Sequence, residues 1–232
     1  MLSVRSIFFT FVFLGCVIGG AVMMKPPQET LSALEYLERG RSAMGEQSYM
    51  DAVGDFTRAL EQNEELHDAY YLRGLAHANL SNNTLALADY STAITLNQEN
   101  ANTYFNRAMV KAKLKDYHGV IADLNIAILL KDNDYGAFRE RGLAKEKLGD
   151  LEGARHDYKS ALSLNPDFAL AKLNLGHLAF HRGEDTLALG FFKEAFSLND
   201  ALKQAYREST TCGIFWDDVS QQLNISRTDC SQ

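Results

Sequence analysis

The sequence of 232 residues has only three prolines, three cysteines and one tryptophan, and no run of lysine or arginine interrupts it. Because so few residues break helices and Ala, Leu, Glu and Lys are abundant, the composition favours helix throughout. The formal net charge of -7 argues against a nucleic-acid-binding surface, which requires a basic face. The sequence therefore predicts an all-α protein without a nucleic-acid partner.

Motifs for catalysis and cofactor binding are missing as well. The sequence contains no glycine-rich phosphate loop, no Gly-x-Ser-x-Gly and no Cys-x-x-Cys. His177 and His181 share one face of a helix, but Leu178 stands where a metalloprotease motif has glutamate. We expect no catalysis and no cofactor, and we interpret the pair as polar residues of a helix face. A metal-dependent enzyme that uses this pair is the least favoured alternative.

Charged residues are absent from Ser6 to Met24, and residues 7–24 are almost entirely apolar. As a helix, these residues would reach about 27 Å, just short of a hydrocarbon core of about 30 Å. Three interpretations are open: an uncleaved signal anchor, a signal peptide cut after Ala21, and a lipidation site at Cys16. Each predicts that the protein is membrane-anchored through residues 7–24, secreted or periplasmic, with its body outside the cytosol.

The two other cysteines lie close to the end of the chain. In an oxidising compartment, Cys212 and Cys230 would form a disulfide that closes the C-terminal tail. Two unpaired thiols are the alternative.

Between these ends the chain repeats every 34 residues without insertion or deletion. One small residue recurs as Gly40, Gly74, Ala108, Gly142 and Gly176. Sixteen residues later stands a bulky one: Phe56, Tyr90, Leu124, Tyr158 and Phe192. A third slot is always alanine: Ala59, Ala93, Ala127, Ala161 and Ala195. Small residues on two helices allow a close approach, and the bulky side chain fills the remaining gap.

This pattern resembles the tetratricopeptide repeat (TPR) family, in which 34 residues form two antiparallel helices. Residues 161–180, ALSLNPDFALAKLNLGHLAF, are similar to the family consensus across a repeat boundary. The resemblance implies a right-handed superhelix, or α-solenoid, of five helix-turn-helix repeats. The repeats are 33–66, 67–100, 101–134, 135–168 and 169–202. A signal segment, residues 1–24, and a linker, residues 25–32, precede them. A C-terminal cap or tail, residues 203–232, follows them. Because the usual proline near the repeat end remains only as Pro166, we expect the other turns to be less sharply fixed.

Four repeats also share an arginine and an aspartate sixteen residues apart. The pairs are Arg39 and Asp55, Arg73 and Asp89, Arg107 and Asp123, and Arg141 and Asp157. In the fifth repeat both change together, to Leu175 and Phe191. Because a buried charge without its partner is costly, paired replacement predicts ion pairs within each repeat rather than between repeats. We interpret these arginines as scaffold; ligand binding is the alternative.

The family resemblance also implies a concave groove lined by the first helices of the repeats. The expected lining is Leu37, Arg41, Tyr71, Leu75, Phe105, Met109, Lys113, Arg139, Leu143 and His177. We expect a non-catalytic adaptor that binds a protein or peptide there. The C-terminal segment around Trp216 is an alternative occupant of the groove. A self-associating assembly factor of the cell envelope, acting through repeat ends or edges, is an alternative function.

Overall fold

The computed structural model describes residues 31–209, with side chains to residue 204. Eleven α-helices and no strand occur in this range: α1 Ala33–Gly45, α2 Tyr49–Gln62, α3 His67–Asn79, α4 Asn83–Leu96, α5 Ala101–Lys113, α6 Tyr117–Leu130, α7 Tyr135–Lys147, α8 Leu151–Leu164, α9 Ala169–His181, α10 Asp185–Leu198 and α11 Asp200–Ser209. The prediction of an all-helical chain is confirmed for these residues. None of the eleven helices is long and apolar enough to cross a membrane. The apolar segment 7–24, Cys16, Cys212, Cys230 and Trp216 lie outside the described residues.

The first ten helices form five hairpins, which stack in chain order. Each helix packs against the next one along the chain, and α3 also contacts the first helices on either side, α1 and α5. The arrangement is that of a solenoid of TPR type. A capping box starts the stack: the Ser32 hydroxyl accepts from the Glu35 backbone, and the Glu35 carboxylate accepts from the Ser32 backbone at 2.7 Å.

The core of each hairpin is the contact between the small residue of the first helix and the bulky residue of the second. The rings of Phe56, Tyr90, Tyr158 and Phe192 are fully buried. A Cβ atom added at Gly40 would lie 2.5 Å from the Phe56 ring, and one at Gly142 would lie 2.6 Å from the Tyr158 ring. A ring in this slot therefore requires glycine opposite, which is why the one repeat with Ala108 has Leu124 in place of a ring.

The segment that follows the second helix begins with the same backbone conformation in all five repeats. Its first residue has φ between -138° and -150° and ψ between 90° and 102° in every repeat. This first residue has the same conformation before Pro166 and in the turns without proline; that the latter are less sharply fixed stays a prediction. Four of the five carry an asparagine whose side chain accepts from a backbone N–H two or three residues later, at 2.9–3.1 Å: Asn63, Asn97, Asn165 and Asn199. These bonds brace the chain with or without proline, since Asn165 makes one directly before Pro166.

Candidate functional site

The first helices of the five repeats, α1, α3, α5, α7 and α9, form one surface, which we term the A-helix face. Residues 34 or 35 positions apart meet across it because neighbouring first helices lie side by side. Asn106 of α5 donates to the Tyr71 hydroxyl of α3 at 3.0 Å. Arg139 Nε of α7 likewise donates to the Asn174 Oδ1 of α9 at 3.1 Å. The structure thus brings residues of different repeats together on a single surface.

The centre of the A-helix face is apolar. Tyr71 and Leu75 of α3 stand at the same repeat positions as Phe105 and Met109 of α5, and all four are half-buried. Phe105 and Met109 pack against the core of the third repeat, and the rings of Tyr71 and Tyr90 lie 6.2 Å apart. Burial raises the pKa of the Tyr71 hydroxyl, partly offset by the hydrogen bond from Asn106. These side chains form a continuous strip that is supported from below but remains accessible.

Leu37 does not belong to this strip, although the sequence pattern placed it in the groove. Its side chain is only 6% exposed and is part of the core cluster around Phe56 and Ala69. Position in the repeat does not determine the depth of a side chain, which depends on its neighbours. Leu37 is therefore a core residue that offers almost no surface to a partner.

The charged residues of the A-helix face differ in the contacts that they make with other residues of the chain. Arg41 contacts Asp68 at 3.0 Å, and Arg139 contacts Glu140 as well as Asn174. Lys113 is exposed and reaches only the backbone oxygen of Ala78, at 3.5 Å. Lys147 is also exposed, and within the described residues neither lysine contacts a carboxylate. Two cations are therefore open to a partner beside the apolar strip.

The histidine pair lies on α9, at the far end of the face; Leu143 of α7 is half-buried against the cluster of Tyr158, Leu175 and Leu178. The His177 ring meets the Phe192 ring edge-on at 5.4 Å, and burial lowers its pKa. Nearby, the buried Tyr158 hydroxyl donates to Glu146 Oε2 at 2.7 Å. Within the described residues, no three His, Cys, Asp or Glu side chains are grouped closely enough to hold a metal ion.

The four arginine–aspartate pairs form within their own repeats. Arg73, Arg107 and Arg141 each make two bonds to one carboxylate, with Nε at 2.9 Å and Nη2 at 2.7 Å. Arg39 pairs with Asp55 in the same way. The remaining amino groups of the three inner arginines donate to a polar side chain of the preceding repeat: Thr57, Ser91 and Asn125. Because each of these guanidinium groups bonds side chains of two successive repeats, it links the repeats.

Two further members of this network were missed in the sequence, although both recur every 34 residues. An aromatic ring three residues before each arginine stacks under the guanidinium group, in the order Tyr36, Tyr70, Tyr104 and Phe138. A second basic side chain four residues after the arginine contacts the same aspartate in the three inner repeats: Lys111 and Lys145 at 2.8 Å, and His77, which is charged only when protonated, at 3.9 Å. We term the combined set the ion-pair ladder.

Sequence and structure comparisons agree on the kind of fold. The family model described as tetratricopeptide repeat matches residues 37–110 and 139–208. A crystal structure of MamA is 18% identical, with a TM-score of 0.67 over 71% of this chain and 96% of that one. MamA 41-end from Desulfovibrio magneticus RS-1 is 19% identical, with a TM-score of 0.69 over 73% and 96%. YrrB, described as a TPR protein with an unusual peptide-binding site, is 21% identical, with a TM-score of 0.65 over 72% and 87%.

At these identities the likeness to solved structures concerns the fold alone. No curated protein sequence matches the chain.

Proposed function

Since the chain belongs to the tetratricopeptide repeat family, we propose that it is a non-catalytic scaffold that holds a protein or peptide on its A-helix face. The single observation that carries this proposal is the apolar strip of Tyr71, Leu75, Phe105 and Met109 beside two lysines without a carboxylate. The strip spans two repeats, and accessible aromatic and Met side chains with a charged rim are typical of protein-binding surfaces.

The chemistry of the face indicates the chemistry of the ligand. An apolar or aromatic side chain of the partner fits over the strip, where it would displace water from surface that is already half-buried. A carboxylate of the partner fits beside Lys113 and Lys147, which are the open cations of the face. YrrB is described as binding a peptide, which supports the same class of ligand for this chain.

The proposed place of action is outside the cytosol. It is supported by the uncharged, apolar residues 7–24, whose length and flanking charge suit a signal anchor or signal peptide. We propose that the repeats act there as an adaptor, held near the membrane or released from it.

The test uses the full chain with a photo-reactive amino acid at Met109 on the A-helix face, irradiated in its native envelope. A protein cross-linked at Met109 should be identified by mass spectrometry and then purified for direct binding. A Tyr71→Glu/Phe105→Glu variant should lose that binding, since the strip would then carry two desolvated carboxylates.

The matched control is Met50→Glu/Leu187→Glu, which adds the same charge at exposed positions of second helices, 69% and 51% exposed. All variants must first show an unchanged helical circular-dichroism signal and melting temperature. Equal loss of binding in both variants, or equal retention, would exclude the A-helix face as the binding surface.

A further inference from the structure

The bulky residue of the hairpin carries a hydroxyl group in two of the five repeats, as Tyr90 in the second and Tyr158 in the fourth. The Tyr158 hydroxyl donates to Glu146 Oε2 at 2.7 Å. The Tyr90 hydroxyl is fully buried, and within the described residues no group of the protein accepts its proton. Buried donors normally have an acceptor, because leaving one unbonded costs free energy. The described part of the chain thus leaves one buried donor of the second repeat without an acceptor.

The residue opposite the ring accounts for this difference. Glu146 stands twelve residues before Tyr158, and the corresponding position of the second repeat is Ala78. Ala78 is half-buried and packs against the cluster that contains Tyr90. Its side chain ends at Cβ, where glutamate continues with a methylene group and a carboxylate. The second repeat therefore has the hydroxyl of the fourth repeat but lacks the carboxylate that accepts from it.

In the other three repeats the hydroxyl and the carboxylate are both missing. The bulky residue and the residue opposite it are Phe56 with Met44, Leu124 with Ala112, and Phe192 with Phe180. Hydroxyl and carboxylate thus occur together or not at all, except in the second repeat. Because phenylalanine would fill the same space without burying a polar group, packing within the chain does not explain the hydroxyl of Tyr90.

The place above Ala78 lies between a cation and the apolar strip of the A-helix face. Lys113 of α5 is exposed, and its Nζ reaches the Ala78 backbone oxygen at 3.5 Å, which is longer than an ordinary hydrogen bond. The Tyr71 ring, which belongs to the strip, lies 6.2 Å from the Tyr90 ring. A ligand that covers the strip therefore passes close to both the lysine and the buried hydroxyl.

The chemistry of these two groups determines what they can bind. Burial raises the pKa of the Tyr90 hydroxyl, so this group keeps its proton at neutral pH and acts as a donor. The ammonium group of Lys113 has donors only. A ligand group between them must be an acceptor, and a carboxylate makes stronger hydrogen bonds to such donors than a neutral oxygen does. The fourth repeat uses a carboxylate in the corresponding position.

We propose that the second repeat binds a carboxylate of the partner peptide where the fourth repeat places its own Glu146 carboxylate. The ligand carboxylate accepts from Tyr90 and pairs with Lys113, while an apolar side chain of the same peptide covers the strip beside Tyr71. Since Lys113 is held only by one long bond, it can turn toward the ligand and uncover the hydroxyl. We term Tyr90, Ala78 and Lys113 the carboxylate site; it rests on the proposed function, because its ligand is a peptide on the A-helix face.

The first test places a carboxylate of the chain itself in the site. Ala78→Glu reproduces the fourth repeat, and Ala112→Glu is the matched control, because it lies opposite Leu124, which has no hydroxyl, and also has a lysine 35 residues later. The full chain with Ala78→Glu should melt about 2–4 °C above the control, the shift expected from one ordinary hydrogen bond in a chain of this size. This difference should vanish when Tyr90→Phe is added to both. No difference, or one that Tyr90→Phe leaves intact, would overturn the proposal.

The second test uses a library of random peptides as the probe, selected on the full chain in a non-ionic detergent. Peptides are kept when Tyr71→Glu/Phe105→Glu abolishes their binding, which defines them as ligands of the strip. Fluorescence anisotropy then compares each peptide with two altered forms, one with its acidic side chains changed to amides and one with an amidated C-terminus. One of the two changes should raise the Kd for the parent chain at least about tenfold, and it identifies the carboxylate as that of a side chain or of the terminus.

Three variants show whether this loss arises at the carboxylate site. The loss should be smaller in Tyr90→Phe and absent in Ala78→Glu, whose own carboxylate takes the place of the ligand's. Tyr158→Phe, which removes the other hydroxyl, should show the full loss. Strip ligands that bind equally well without a carboxylate, or an equal loss in Tyr90→Phe and the parent, would overturn the carboxylate site and leave the proposed function standing. A library without any strip-dependent peptide would instead contradict the proposed function, and the site with it.

Discussion

The ion-pair ladder allows one substitution to be worked out in detail. Asp157 is fully buried and neutralises two cations, Arg141 at 2.7 Å and Lys145 at 2.8 Å, whose side chains are 15% and 20% exposed. Asp157→Ala would leave both cations largely buried without a carboxylate. Removing one partner of a buried pair costs about 3–5 kcal/mol, and we expect the lower end because both cations retain some contact with water.

For a chain of this size, about 3 kcal/mol corresponds to a melting temperature lower by about 6–12 °C. The matched control is Asp55→Ala at the start of the ladder. Its partners Arg39 and Arg58 are 48% and 56% exposed, and Ala43 stands where the inner repeats have a second basic residue. Water can replace the carboxylate there, so we expect a loss of less than about 1 kcal/mol.

The assay is thermal and urea unfolding of both variants, followed by circular dichroism at the helical band. A third variant transfers the apolar set of the fifth repeat: Arg141→Leu, Lys145→Ala and Asp157→Phe, after Leu175, Ala179 and Phe191. It should recover most of the stability lost in Asp157→Ala, because no unpaired charge remains. Equal losses for Asp157→Ala and Asp55→Ala, or a transferred set no more stable than Asp157→Ala, would refute this account of the ladder.

Two other substitutions test the packing and the pH dependence. Gly142→Ala should lower the free energy of unfolding by about 1–3 kcal/mol, since its Cβ would meet the Tyr158 ring at 2.6 Å. Gly54→Ala, which has open space around it, should not lower it. Adding Tyr158→Leu to Gly142→Ala should recover part of the loss, and urea unfolding measures all three variants. Burial lowers the pKa of His77 in the folded state from its usual 6.5. Just below that pH the unfolded chain therefore binds more protons than the folded chain does. The free energy of unfolding should fall as pH drops through 6.5 toward the lower pKa of the folded state. His77→Gln should show a smaller decrease than the parent between these pH values; an unchanged pH profile would mean that His77 is protonated equally in both states.

The fold could be predicted from sequence because its period has no insertion. Once small and bulky residues recur every 34 positions, the helix pairs, their order and the partners of the arginines all follow. The same period contained the aromatic rings beneath the arginines and the lysines beside the aspartates, so this part of the network was readable as well. Pairing of opposite charges alone does not predict these residues, because the rings are uncharged and the lysines have the same sign as the arginines.

The candidate site could be predicted less well. The position within the repeat predicts the helix face on which a residue lies, and Tyr71, Phe105 and Lys113 lie on the A-helix face. The position does not predict how deeply the side chain is buried. Leu37 occupies the same repeat position as Tyr71 but is buried, because the neighbouring cluster around Phe56 encloses it. Depth depends on side chains from other helices, whose sizes no single position encodes.

The repeats also separate the demands of the fold from those of function. Where packing within the chain determines the residue type, contacting residues change together. Alanine and leucine replace glycine and an aromatic ring in one repeat, and leucine and phenylalanine replace arginine and aspartate in another. The outer positions of the second helices show no such linkage. The slot of Leu129 holds Glu61, Thr95, Ser163 and Ser197 in the other repeats, and that of Ile126 holds Arg58, Thr92, Ser160 and Glu194. Since the scaffold accepts a charge at these positions, packing within the chain does not explain why α4 and α6 have none.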